Sequence, residues 1–182
     1  MKKANLKALK YPIGEFKTPK KISEKEIEKG IKTIEAFPDK LKKEVEKLSN
    51  AMLDYRHRLG GWTVTQIVHH CADSHINAYS RTKLALTEDN PIIKPYDESA
   101  WANTDDSGEA PVGWSILLLE GLHKRWAMLL SGLNSEELEK TYYHPDSKRN
   151  VSLNHLILLY AWHCEHHLAH IKQAKKYKNK FS

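Results

Sequence analysis

Cysteine is scarce in this chain, with only Cys71 and Cys164 among 182 residues. They lie far apart and form no CxxC pair, which excludes a disulfide framework and a thiolate zinc finger. A reduced, cytoplasmic setting is the expectation. Long apolar runs are missing too: no stretch of 18 apolar residues exists, so no membrane span is expected. The basic start Met1-Lys2-Lys3 never develops the apolar segment of a signal peptide. Repeats and low-complexity tracts are absent, and the length fits one domain, 1–182, around one core. Arginine is absent from the first fifty residues, where fourteen Lys face eight Asp or Glu. Those lysines alternate with glutamates, as in Glu24-Lys25-Glu26-Ile27-Glu28-Lys29, the pattern of a solvated helix face. A second group, Lys172 to Lys180, suits the C-terminal end of a helix. The formal charge of +6 is therefore dispersed, and neither a nucleic acid nor a membrane is an expected partner.

What is present is helical pattern. Residues 1–21, interrupted by Pro12, Gly14 and Pro19, read as an extended arm. From Ser23, with Glu26 completing a capping box, a helix follows Ile27, Ile31, Ile34, Leu41, Val45 and Leu48. Pro38 is expected to kink or split it. A loop through Arg56-His57-Arg58-Leu59-Gly60-Gly61 ends that segment. A second helix opens at Thr63, with Gln66 as its box partner, and runs to about Thr87. About twenty irregular residues come next, a long loop over 88–111. A third helix covers about Val112 to Leu133 and a fourth about Ser152 to Tyr177. No strand alternation is evident. The fold class expected is all-α, a four-helix bundle, whose metal sites are built from facing helices.

Eleven histidines stand out against this background. Four occur in Trp162-His163-Cys164-Glu165-His166-His167-Leu168-Ala169-His170 and three in His69-His70-Cys71-Ala72-Asp73-Ser74-His75. Residues four apart share a helix face, so His163 and His167 can share one ion. At about 100° per residue both lean toward the apolar stripe of their helix, whereas His166 and His170 fall on a flank expected to be partly exposed. A single histidine on such a face is usually a hydrogen-bonded core residue; two need partners for four ring nitrogens. On the second helix, periodicity selects His75 as the inward residue and leaves His70 at the edge, so the third ligand stays open between them. The protease pattern HExxH is absent, because Cys164 follows His163 and Glu165 faces the opposite side. Cys71 and Cys164 read as small buried apolar residues.

The segments Gly61-Trp62-Thr63-Val64, Val68 to His75, Lys94-Pro95-Tyr96-Asp97-Glu98-Ser99-Ala100-Trp101, Tyr143-His144-Pro145-Asp146 and Trp162 to Ile171, with Tyr11-Pro12-Ile13-Gly14-Glu15-Phe16, resemble the YfiT-type branch of the DinB-like superfamily. The similarity runs in the same order through nearly the whole chain. It implies a four-helix bundle, commonly a homodimer, holding Zn²⁺ or Ni²⁺ with three histidines. Matched by position, those fall on His70, His163 and His167. The resemblance, not the periodicity, selects His70 over His75.

Members of that family are described as metal-dependent hydrolases, and relatives in the wider superfamily are transferases that use low-molecular-weight thiols such as bacillithiol. An open three-histidine site suits both, since a metal can lower the pKa of bound water to about 7 or deprotonate a bound thiol. The thiol route asks less of the protein, because the nucleophile arrives on the cosubstrate. Tyr96, Asp97 and His144 are the candidates for supporting the site or touching a small-molecule substrate. The long 88–111 loop, rich in aromatics, is expected to cover the open end of the metal site. The competing reading is a structural metal bundle or a stress-related interaction protein, its fourth position closed by His75 or Cys164.

Overall fold

The computed structural model describes residues 3–181. A short helix α1 (Lys3–Lys10) comes first, then α2 (Glu24–Val45), the turn α3 (Asn50–Leu53), and α4 (Val64–Thr87). The turns α5 (Glu98–Trp101) and α6 (Asp105–Glu109) precede α7 (Val112–Ser131) and α8 (Ser135–Glu139). A hairpin of β1 (Thr141–His144) and β2 (Arg149–Ser152) leads into α9 (Leu153–Tyr177), which closes on a 3₁₀ turn, Lys178–Phe181.

Helices α2, α4, α7 and α9 form a four-helix bundle. α2 packs between α7 and α9, and so does α4, which places α2 and α4 diagonally. Both expected capping boxes form: Ser23 with Glu26, and Thr63 with Gln66, each satisfying backbone N–H groups that the first turn leaves free. The stripe Ile27, Ile31, Ile34, Leu41 and Val45 is buried, joined by Phe37. Each such side chain removed from water contributes roughly 1.5–3 kcal/mol. Where α2 meets α9 the backbones come close: a Cβ on Gly30 would lie 2.8 Å from Ile157 Cγ2.

Four expectations need correction. α2 is not split, since it continues through the buried Pro38 to Val45; the packing on both neighbours holds it together. The arm is not extended throughout. Its residues 3–10 are helical, with Leu9 buried, while Met1 and Lys2 lie outside the described residues. The 88–111 segment is not irregular, because it contains α5 and α6. Strands also exist: β1 and β2 pair antiparallel, with Thr141 opposite Ser152 and Tyr142 opposite Val151. Four residues per strand are too few to show alternation.

The rest of the N-terminal segment is tied to α9. Thr18 Oγ1 meets His155 Nδ1 at 3.2 Å, and Trp162 Nε1 donates to the Gly14 carbonyl at 3.2 Å. His170 Nε2 donates to Lys10 O at 3.1 Å and Gln173 Nε2 to Leu9 O at 2.9 Å. No helix of the described residues is long and apolar enough to cross a membrane.

Candidate metal centre

α4 and α9 face each other with His70 on one and His163 and His167 on the other, one turn apart. Each of the three offers one nitrogen, and these nitrogens lie within 4.8 Å of one another. His70 Nε2 and His163 Nε2 are 3.3 Å apart. Trp62, just before α4, covers the group, with ring centroids 4.6 Å from His70 and 6.4 Å from His167. His70 and His167 are buried and His163 nearly so.

Burial dominates the electrostatics. It pushes His70 down to about 4, aided by the nearby His170. It holds His163 and His167 well below the ordinary imidazole range, and repulsion from the neighbouring histidines adds to this. All three rings are thus neutral at pH 7, which leaves lone pairs for an ion. The fit to a metal is good. Nitrogens ~2.0 Å from a tetrahedral ion stand about 3.3 Å apart, the separation of the two Nε2 atoms. His167 Nδ1 is also buried with no hydrogen-bond partner, as expected of a ring whose nitrogens are not both used by protein.

His75, the residue favoured by periodicity, is occupied. Its Nε2 meets His163 Nδ1 at 3.0 Å and its Nδ1 meets His123 Nε2 at 2.7 Å. No nitrogen is left for an ion, so it cannot close a fourth position. His70 is buried despite its edge position because Trp62, His163 and His167 pack around its ring; α4 is also covered on a second side. Gln66 Nε2 donates to Ala102 O at 2.7 Å, and His69 Nε2 donates to Ala110 O at 3.0 Å. The 88–111 segment supplies both acceptors, and a single hydrophobic stripe cannot encode two covered faces.

His166 and His170 offer no nitrogen to this group, although their rings pack 5.1 and 5.5 Å from that of His167. His166 stacks on Trp162 at 4.3 Å and His170 packs 4.1 Å from His57. The expected exposure of this flank is corrected: both are buried, under the N-terminal segment. Cys71 and Cys164 are free and fully buried, and burial pushes both thiols up, away from reactivity. Glu165 points away as expected and pairs with Lys40 at 2.7 Å.

The other candidates differ in placement. Tyr96 packs 4.5 Å from Trp101 with its hydroxyl buried and unpartnered. Burial pushes that hydroxyl up, and Tyr160 and Ser74 are among its polar neighbours. Ser74 is one turn beyond His70, and Tyr160 packs 5.4 Å from His163, so Tyr96 stands about one layer from the histidines. Asp97 is exposed and caps α5, its Oδ1 accepting from Ser99 and Ala100 N–H, both at 2.9 Å. His144, half-buried at the end of β1, has an unpartnered Nδ1. Burial, then the charge of Arg81, lowers its pKa. Arg81 lies eleven residues beyond His70, about 16 Å along a helix.

Two features went unread in the sequence. One is His123, fully buried on α7. The other is Asp73, one turn after His70, whose carboxyl burial and the charge of Asp106 push up to about 6. The i+3 spacing of Asp73 from His70 was a visible signal; nothing local marked His123.

Comparison with known proteins agrees with this fold. A curated protein of Bacillus subtilis (strain 168), named "Putative metal-dependent hydrolase YfiT", is 46% identical over 168 residues, 92% of this chain and 94% of that one. A Bacillus cereus (strain AH820) protein, also named as a "Putative metal-dependent hydrolase", is 51% identical over 168 residues, 92% of this chain and 96% of its own. A solved structure of the B. subtilis protein, described as "a probable metal-dependent hydrolase with an unusual four-helix bundle topology", superposes with a TM-score of 0.90 at 46% identity. It covers 93% of this chain and 97% of that one. The DinB superfamily model matches residues 33–171, a span that contains all three histidines. By sequence and fold together, the chain belongs to the DinB superfamily.

Proposed function

We propose that this chain is a metal-dependent enzyme, one domain in which His70, His163 and His167 hold one divalent transition ion, Zn²⁺ or Ni²⁺, with coordination left open. The observation that carries this reading is the convergence of three neutral imidazoles from two helices within 4.8 Å. An ion bound there supplies Lewis acidity and brings the pKa of a coordinated water or thiol toward neutrality. Trp62 limits water on one side. The unpartnered Tyr96 hydroxyl is available to orient a substrate, and the 88–111 segment that carries it forms a wall along α4. Asp97, spent as a cap, and His144, at the end of β1 near Arg81 rather than near the histidines, have weaker claims to such a role.

Hydrolysis of a small-molecule substrate is the primary reading, supported by the names of the relatives. In this reading an ion-bound water is the nucleophile, since α9 carries no glutamate turned toward the site. Thiol S-transfer is the second reading, favoured by Glu165 being turned to Lys40, since a thiol cosubstrate needs no dedicated base. Metal-loaded protein is assayed on simple esters and amides, and on a haloarene with and without a small thiol. Fast thiol-independent hydrolysis lost on chelation establishes the first reading; conjugation that requires the thiol, with slow hydrolysis, replaces it by the second. No metal-dependent turnover of either kind would leave a non-catalytic metal bundle.

The same proposal includes a reduced, cytoplasmic setting, in keeping with two free buried thiols, and no nucleic-acid or membrane partner. It also includes a homodimer. α7 exposes Trp114, Leu117, Leu118 and Met128, an apolar set on the outside of the bundle. Sedimentation should give a dimer that Leu117→Glu converts to monomer; a monomeric wild type at micromolar concentration overturns this part.

A further inference from the structure

A hydrogen-bonded chain runs from the backbone of α2 through the core to the metal centre. In a regular helix the N–H of residue 38 would bond the carbonyl of residue 34, four positions earlier. Pro38 has no N–H, so the Ile34 carbonyl is left without that partner inside a helix that otherwise continues. It is not orphaned, because His123 Nδ1 on α7 donates to it. His123 Nε2 then faces His75 Nδ1 at 2.7 Å, and His75 Nε2 faces His163 Nδ1 at 3.0 Å. Pro38, His75 and His123 are each buried, and both histidines have no exposed surface.

Proton counting fixes the direction of this chain. Burial disfavours charge on any of the rings, and three neutral imidazoles carry three ring protons. Three gaps need one proton each: Ile34 to His123, His123 to His75, and His75 to His163. A carbonyl oxygen only accepts, so the first gap takes its proton from His123 Nδ1. His123 Nε2 is then bare and must accept from His75 Nδ1. His75 Nε2 is bare in turn and must accept from His163 Nδ1. The last proton is thus on Nδ1 of His163, and its Nε2, 3.3 Å from His70 Nε2, is left with a lone pair. The reverse arrangement would set a bare His123 nitrogen against carbonyl lone pairs.

We propose that Pro38, His123 and His75 are positioning residues of the metal centre: the carbonyl freed by Pro38 sets a one-way hydrogen-bond relay that locks His163 with Nδ1 protonated and Nε2 presented to the ion. This rests on the three-histidine site being a metal site and adds what orients one of its ligands. His163 is the anchored corner of the three, whereas His167 Nδ1 has no protein partner. An N–H held by an acceptor also makes the opposite nitrogen a better donor to a metal, and removing such a partner costs about 10–100-fold in affinity.

The first test needs no variant. Long-range ¹H–¹⁵N correlation spectra of metal-free, ¹⁵N-labelled protein at neutral pH report which nitrogen of each ring carries hydrogen. His123, His75 and His163 are all expected as the Nδ1–H form, and finding any of the three as Nε2–H overturns the relay. The second test measures zinc affinity against a chromophoric chelator for wild type, His75→Phe, His123→Phe and Pro38→Ala. The two histidine variants are expected to bind roughly 10–100-fold more weakly. Pro38→Ala, which restores the competing N–H, should bind several-fold more weakly and shift the His123 Nδ1–H resonance. Wild-type affinity in folded His75→Phe overturns this inference alone. A wild type that binds neither zinc nor nickel overturns the reading of the site itself, and with it the role given to the relay.

Discussion

His70 Nε2 and His163 Nε2, 93 positions apart in the chain, face each other at 3.3 Å across the α4–α9 interface. Two bare imidazole nitrogens at that distance repel unless a proton or a cation lies between them. The expected occupant is a divalent ion shared with His167. His70→Ala, His163→Ala and His167→Ala should each abolish stoichiometric metal, whereas His166→Ala should retain about one ion per chain. Elemental analysis of the purified variants checks this, and loss of metal in His166→Ala alone would relocate the site to the Trp162 flank.

Acid should destabilise the metal-free protein well above the pH at which carboxylates titrate. Burial first, and then neighbouring histidines, hold His57 at about 3. Burial also holds His123 and His170 at about 4 each. In the unfolded chain the same rings titrate near ~6.5, so the unfolded state takes up protons that the folded state refuses. Their contribution is therefore complete above about pH 6.5 and drains away as pH falls toward 4. Urea midpoints at pH 7.5, 6.0, 5.0 and 4.5 should decline steadily; a flat profile down to pH 5 contradicts the burial of these rings.

Gly30 should resist enlargement. A methyl there would meet Ile157 Cγ2 at 2.8 Å, closer than carbon atoms pack. Alanine gains about 0.8–1 kcal/mol of helix propensity, but prying α2 from α9 costs about 1–3 kcal/mol. Gly30→Ala should come out neutral to destabilised by about 2 kcal/mol, and Gly30→Val clearly worse. Chemical unfolding measures both, and a stabilised Gly30→Val would show that the helices are not in close contact there.

Tyr96→Phe should separate substrate handling from metal binding. The variant removes a hydroxyl that is buried and unpaired, so stability should hold or rise slightly. Turnover should fall at least several-fold while metal content stays near one per chain. Unchanged kcat and KM would remove the 88–111 segment from the active site.

Much of the bundle could be read from local pattern. The Ser23–Glu26 and Thr63–Gln66 boxes and the i,i+4 pair His163–His167 each lie within one helix and need no partner to be recognised. What escaped reading depends on surfaces far apart in sequence. His70 is an edge residue by periodicity, and its ring is covered by Trp62 from before α4 and by His163 and His167 from α9. His123 carried no sign of function because its partners, His75 and Ile34, are 48 and 89 positions away. Pro38 looked like a break, and the packing of α2 against two neighbours carries the helix past it.

The binding of the N-terminal segment to α9 has a consequence for the order of assembly in the cell. Leu9, Lys10, Gly14 and Thr18 meet partners 137 to 164 positions later, and His70 waits 93 positions for His163. A chain emerging from the ribosome N-terminus first must hold these segments unsatisfied until α9 is made. Two of the three site histidines and all four N-terminal anchor points lie on that last helix. Ion capture therefore waits for α9, and a chain terminated before that helix carries neither cargo nor clasp.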